Sequence, residues 1–197
     1  SVAIKPTDQT LWFHAASLGE YEQGLPVMEQ MRSKFPNHKI ILTFFSPSGY
    51  EVRKNNTIAD VTLYLPLDSA ANAKKFISLA HPELVFFVKY EYWPNYLKVL
   101  QKQNIRTFLI SGIFRENQLF FKWYGGFYRN ALTSFEHFFV QNTTSEKLLH
   151  QLGKTNVSLS GDTRFDRVAA ILENNQTPDG IKVPEVLVKY TGFDIIN

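Results

Sequence analysis

Seven short apolar runs recur along the chain, and the stretches between them carry their apolar residues at helical spacing. The runs are Leu11–His14, Lys39–Phe44, Val61–Leu65, Leu84–Val88, Ile105–Ile110, His137–Val140 and Asn156–Leu159. They are rich in β-branched and aromatic residues, and they are continuous rather than alternating. Such strands are covered on both faces, as in a parallel sheet. Between them, Met28, Met31 and Phe35 mark one helical face, as do Phe76, Leu79 and Ala80, and again Tyr96, Val99 and Leu100. Ser145–Leu152 is a short helix that Gly153 ends. Strand–helix alternation of this kind requires right-handed βαβ crossovers. The expected fold is therefore α/β, a Rossmann-like doubly wound, mostly parallel sheet. Pro26 sits badly in the first helical stretch, so a kink near Glu22 or a later start is expected.

The chain's 197 residues suffice for one domain, or one and a fragment. After Gly161 the pattern decays. One more helix over Asp166–Asn175 is expected, then a linker at Asn174–Gly180 and a tail to Asn197. This gives a domain over residues 1–173 and a linker or tail over 174–197. The abrupt start without Met and the fading pattern lead us to expect a piece of a longer protein.

Composition excludes several functions. There is no cysteine, so disulfides, Cys-zinc sites and thiol nucleophiles are out. The five histidines are scattered with no i, i+4 pair, which disfavours zinc. A net charge of +3 without a dense basic block disfavours nucleic acid and leaves an anionic small substrate or a membrane surface. No run of about 18 apolar residues occurs, and residues 1–10 lack the layout of a signal peptide. No G-x-G-x-x-G occurs. Gly19 and Gly24 have P-loop separation, but Leu25 and Pro26 replace its Lys-Ser/Thr. Ser17 resembles the serine of a nucleophile elbow, except that Ala15 stands where glycine belongs.

In open α/β sheets, ligands bind beyond the carboxyl ends of the strands. Three such junctions stand out. His14-Ala15-Ala16-Ser17-Leu18-Gly19-Glu20 follows the first strand, and its small residues let a ligand approach the start of a helix. Glu20 reads either as a first-turn carboxylate facing the helix dipole or as a general base. The helix terminus would lower its pKa, so a base there needs burial or a second carboxylate to raise it. Glu91, just past the fourth strand in Lys89-Tyr90-Glu91-Tyr92-Trp93-Pro94, is that candidate; a salt bridge to Lys89 or a capping role is its plain alternative. Phe45-Ser46-Pro47-Ser48-Gly49-Tyr50 follows the second strand and reads as an N-cap or as an amide donor to a sugar or phosphate. Leu119–Arg129 mixes aromatics with cations, as either core or a surface for a lipid interface.

Taken together, the motifs H-A-x-S-x-G-E, S-P-S-G and K-x-E-x-W-P resemble those of the Kdo transferases (3-deoxy-D-manno-octulosonic acid transferases, glycosyltransferase family 30). Ser111–Glu116 and Gly161–Asp166 sit where that family has related stretches, and the match covers about residues 10–170. The resemblance implies the N-terminal, acceptor-binding half of a two-domain GT-B enzyme, inactive alone, with the donor domain outside this chain. It implies transfer from CMP-Kdo to a lipid A precursor, with inversion, no metal and no cofactor. The work would take place at the cytoplasmic face of the bacterial inner membrane, with this stretch itself soluble. It implies Glu20 as catalytic base and Glu91 as a second required acid. Ser17, Gly19, Ser48, Gly49 and Arg115 then fall at positions for acceptor contact. The rivals at this stage are another GT-B transferase half, a solitary Rossmann-like binding module, and a serine hydrolase through Ser17.

Overall fold

The apolar runs pair into one sheet. In the computed structural model, which describes residues 4–161, the strands are β1 (Thr10–His14), β2 (Lys39–Phe44), β3 (Val61–Tyr64), β4 (Pro82–Val88), β5 (Arg106–Gly112), β6 (His137–Val140) and β7 (Val157–Leu159). The helices between them are α1 (Leu18–Lys34), α2 (Pro47–Arg53), α3 (Ala70–Ala80), α4 (Pro94–Lys102), α5 (Gly126–Ala131) and α6 (Thr143–Gln151). Strand order is β3-β2-β1-β4-β5-β6-β7, with every neighbouring pair parallel. The expected Rossmann-like class is the one observed. The chain winds outward one way from β1, then crosses to β4 and winds the other way. The switch point therefore lies between β1 and β4. The helix, linker and tail expected after Asp166 lie outside the described residues.

Two apolar layers hold the sheet. On one face Leu11, Phe13, Leu42, Phe86 and Phe108 pack under α1 with Leu25, Met28 and Met31. On the other, Trp12, Val85, Phe87, Leu109 and Phe138 meet Ile77, Tyr96, Leu100 and Leu149. Alternate residues of each strand feed alternate layers, as the pleat dictates. Phe13, Phe86 and Phe108 lie in register on β1, β4 and β5. Their rings stack at 4.6 and 5.4 Å between centroids, cross-strand pairs of the kind that stabilise a sheet beyond simple burial.

Helix starts follow side-chain chemistry. Ser17, Ser46, Ser69 and Asn142 each accept a hydrogen bond from the first turn of α1, α2, α3 and α6. The start of α4 has Pro94 and no local cap; instead the Asp68 carboxylate accepts from the amides of Asn95 and Tyr96 at 3.2 Å. Of the two outcomes expected at Pro26, the later start does not occur: helix α1 begins at Leu18 and contains Pro26, where Leu25, Val27 and Met28 pack into the core. One expectation is corrected. Leu79 is 65% exposed, because the buried stripe of α3 runs through Ala73, Ile77 and Ala80 and Leu79 falls beside it.

Candidate active site

The loops after β1, β2 and β4 meet because those strands are neighbours. The Ala16 carbonyl accepts from the amides of Ser46 (2.7 Å) and Phe45 (3.3 Å), which ties the first two loops together. Trp93 joins the third, its ring edge-on to His14 at 5.1 Å and to Phe45 at 5.2 Å. Glu20 and Glu91 both lie at this rim, within electrostatic reach of each other.

Glu20 is 8% exposed. Its side chain turns back at the start of α1, where Oε2 accepts the Ala16 amide at 2.6 Å, while its own amide donates to Ser17 Oγ. Two opposite effects act on its pKa. Burial raises it most, and the Glu91 charge raises it further; the amides of Ala16 and Ser17 and the Lys89 charge lower it. Burial wins, and the pKa is pushed up from 4.5 to about 7. The helix terminus thus holds the carboxyl without keeping it fully ionised. A carboxyl poised there can take a proton near neutral pH and hold it.

Glu91 is anchored differently. One oxygen, Oε2, accepts from Trp93 Nε1 at 2.5 Å and contacts His14 Nε2 at 3.1 Å. The His14 ring is fully buried, and its Nδ1 lies 2.8 Å from Thr43 Oγ1. Trp12 Nε1 can only donate, and it does so to that same hydroxyl at 2.8 Å. Thr43 Oγ1 in turn donates to the Phe13 carbonyl at 3.3 Å, and His14 Nε2 faces Glu91. A chain Trp12–Thr43–His14–Glu91 therefore runs from the core to the rim. The salt bridge of Glu91 to Lys89 and the capping role are both replaced by this chain.

The other expected residues divide. Gly19 is exposed, and a Cβ there would meet nothing within 4 Å, so the space beside Glu20 is open. Ser48 is exposed and hydrogen-bonds Ser46 Oγ at 2.9 Å. Gly49 is buried instead: a Cβ would lie 2.6 Å from Phe44 Cε1 and 3.0 Å from the Ser17 carbonyl carbon. It lets α2 close onto the rim and is not open to an acceptor. Ser17 caps α1 in ordinary extended backbone (φ −137°, ψ 171°), which lacks the strained turn of a nucleophile elbow and removes the hydrolase reading. Arg115, on the loop after β5, donates to Tyr90 Oη at 3.1 Å. Sequence reasoning missed His14, Thr43, Trp93 and Lys89 as parts of the site. For His14, its place at the head of a motif ending in Glu20 was the available signal. Among the described residues, no group of three or more His, Asp or Glu side chains gathers as a metal site.

Beyond β5 the aromatic stretch is split. Phe120 is buried, but Trp123 is 90% and Phe127 69% exposed, with Tyr124 and Tyr128 beside them. Arg129 does not face outward: its guanidinium binds the carbonyls of Phe120 and Lys122 at 3.0 and 2.7 Å and so fixes the loop.

These features define a class, an α/β domain of the doubly wound type with two neighbouring carboxyls, one of them buried, at its switch point. Solved structures of similar fold include the UDP-GlcNAc 2-epimerase of Neisseria meningitidis bound to UDP-GlcNAc (TM-score 0.62, 16% identity, 84% of this chain and 50% of that one). That of Methanocaldococcus jannaschii is another (TM-score 0.60, 11% identity, 96% and 54%). Residues 2–167 match the family model for 3-deoxy-D-manno-octulosonic-acid transferase (kdotransferase), and the chain belongs to that family. Curated 3-deoxy-D-manno-octulosonic acid transferases are similar to it. Those of Aquifex aeolicus and Haemophilus influenzae are 34% and 35% identical over 47% and 51% of this chain. That of Chlamydophila psittaci is 26% identical over 88%. The matches span 26%, 24% and 41% of those relatives, so the chain covers less than half of their length.

Proposed function

We propose that this chain is the acceptor-binding part, residues 1–173 with a linker beyond, of a two-domain transferase. The enzyme moves Kdo from CMP-Kdo to a lipid A precursor in lipopolysaccharide biosynthesis. The observation that carries the reading is Glu20, a carboxyl buried at the switch point with its pKa near 7 and open space over Gly19 beside it. Family membership supplies the sugar.

In the reaction, an acceptor hydroxyl enters over Gly19 and hydrogen-bonds Glu20. Its oxygen attacks the anomeric carbon as Glu20 takes the proton. The bond from that carbon to the CMP phosphate oxygen breaks on the opposite face, and the electron pair leaves with CMP. The configuration inverts, and each step balances without a metal. Glu91, held by His14 and Trp93, keeps a carboxylate beside Glu20 and helps keep its pKa high. General-base assistance contributes about 10²–10⁴-fold.

The exposed Trp123, Tyr124 and Phe127 lie in the segment that leaves the carboxyl end of β5. A surface of this kind suits the interface of the cytoplasmic membrane, where a lipid acceptor resides. No helix of the described residues is long and apolar enough to cross a bilayer.

The deciding experiment is Glu20→Gln in the full-length enzyme, assayed for Kdo transfer. Turnover should fall at least about 100-fold with the circular dichroism spectrum unchanged. A variant that turns over normally ends the assignment.

A further inference from the structure

Two cations stand at the rim without a carboxylate. Lys89 and Arg115 make no ion pair among the described residues, although both lie against one ring: Lys89 Nζ is 5.0 Å and the Arg115 guanidinium carbon 5.5 Å from the centre of Tyr90. Arg115 also donates to the Tyr90 hydroxyl at 3.1 Å. Lys89 is the first residue after β4, and its backbone is left-handed, with φ 68°. A side chain makes that conformation unfavourable, and such strain persists where the surrounding structure enforces it, commonly at ligand sites. Here the Lys89 amide is held by the Ile110 carbonyl at 2.9 Å. A second left-handed residue lies near the end of the adjacent strand β5, at Ser111 with φ 53°. The Lys89 charge also reaches Glu20.

The chemistry of the substrate calls for a cation here. An ulosonic acid carries its carboxylate on the anomeric carbon itself. Attack at that carbon therefore brings an anion close to Glu20 and Glu91, which repel it. We propose that Lys89 and Arg115 form an oxyanion subsite beside the two carboxylates, filled by the carboxylate of the transferred sugar acid or by a phosphate of the acceptor. The proposal rests on the reading of Glu20 as the base.

The test uses the full-length enzyme with Lys89→Gly, Lys89→Arg and, in parallel, Glu20→Gln. Glycine accepts φ 68° without strain, so Lys89→Gly should melt no lower than the wild type. A structural role for Lys89 therefore cannot explain a kinetic defect. A KM raised about tenfold, the equivalent of one lost charge-assisted hydrogen bond, and largely restored by Lys89→Arg supports the subsite. If the donor KM rises with phosphorylated and dephosphorylated acceptors alike, the occupant is the sugar carboxylate. If the acceptor KM rises only for the phosphorylated form, the occupant is phosphate. Lys89→Gly with wild-type KM for both substrates overturns the subsite, and inactive Glu20→Gln beside it shows that the base reading survives. An active Glu20→Gln instead marks the failure of that reading.

Discussion

A carboxyl that titrates near pH 7 is held in the folded protein against its own tendency to ionise. Unfolded, Glu20 loses its proton around pH 4.5; folded, it keeps it to about 7. The folded state binds this proton more tightly, so the Glu20 contribution to stability falls as pH rises between those values. The full difference corresponds to about 3 kcal/mol. Glu20→Gln should therefore melt higher than the wild type at pH 8 and no higher at pH 4, as thermal unfolding across pH will read. As the proposed base, the same group should set the acid limb of the rate profile. Activity should rise as pH passes through about 7, and Glu91→Gln should move that limb to lower pH by removing the neighbouring charge. Burial is the larger cause, so the limb should stay above the pKa of a free glutamate. A limb unmoved in Glu91→Gln would separate the two carboxylates functionally.

At the scale of elements, two glycines at helix starts separate packing from access. The start of α2 closes on β2 and on the loop after β1 only because Gly49 has no side chain. Gly49→Ala forces a methyl group into the Phe44 ring and should cost about 1–3 kcal/mol, seen as a lower Tm. The start of α1 is open over Gly19. Gly19→Ala should leave Tm within about a degree or raise it slightly, since alanine suits a helix better, while the acceptor KM rises. Equal losses of stability in both variants would remove the distinction. The α5 segment follows similar logic: a side chain at Gly125 would overlap the Leu119 carbonyl oxygen, and Arg129 binds the carbonyls around it. The loop holding Trp123 is thus built rigidly, with its aromatic residues left outside.

For the whole molecule, the sheet order decides which chemistry meets. Strands β1 and β4 are far apart in sequence and adjacent in space, so Glu20 and Glu91 share a rim. The segment that leaves the carboxyl end of β5 carries the exposed aromatics. Trp123→Ala combined with Phe127→Ala should weaken co-sedimentation with anionic vesicles several-fold without lowering Tm, because neither side chain packs in the core. Undiminished binding by the double variant would place membrane contact elsewhere.

By itself, the sequence determined the strands, the helices and their parallel winding, because covered strands and amphipathic helices write their periods directly into the residues. It also marked Glu20 and Glu91, since each falls in a run of chemistry-bearing residues just past a strand. Tertiary structure alone decided their surroundings. Burial, invisible in a motif, lifted Glu20 against its helix terminus. The register of β1 on β2 placed His14 beside Thr43, and the crossing to β4 brought that histidine to Glu91. A left-handed turn set Lys89 at the rim. Each of these depends on contacts between residues distant in the chain, and no local pattern records which strands will become neighbours.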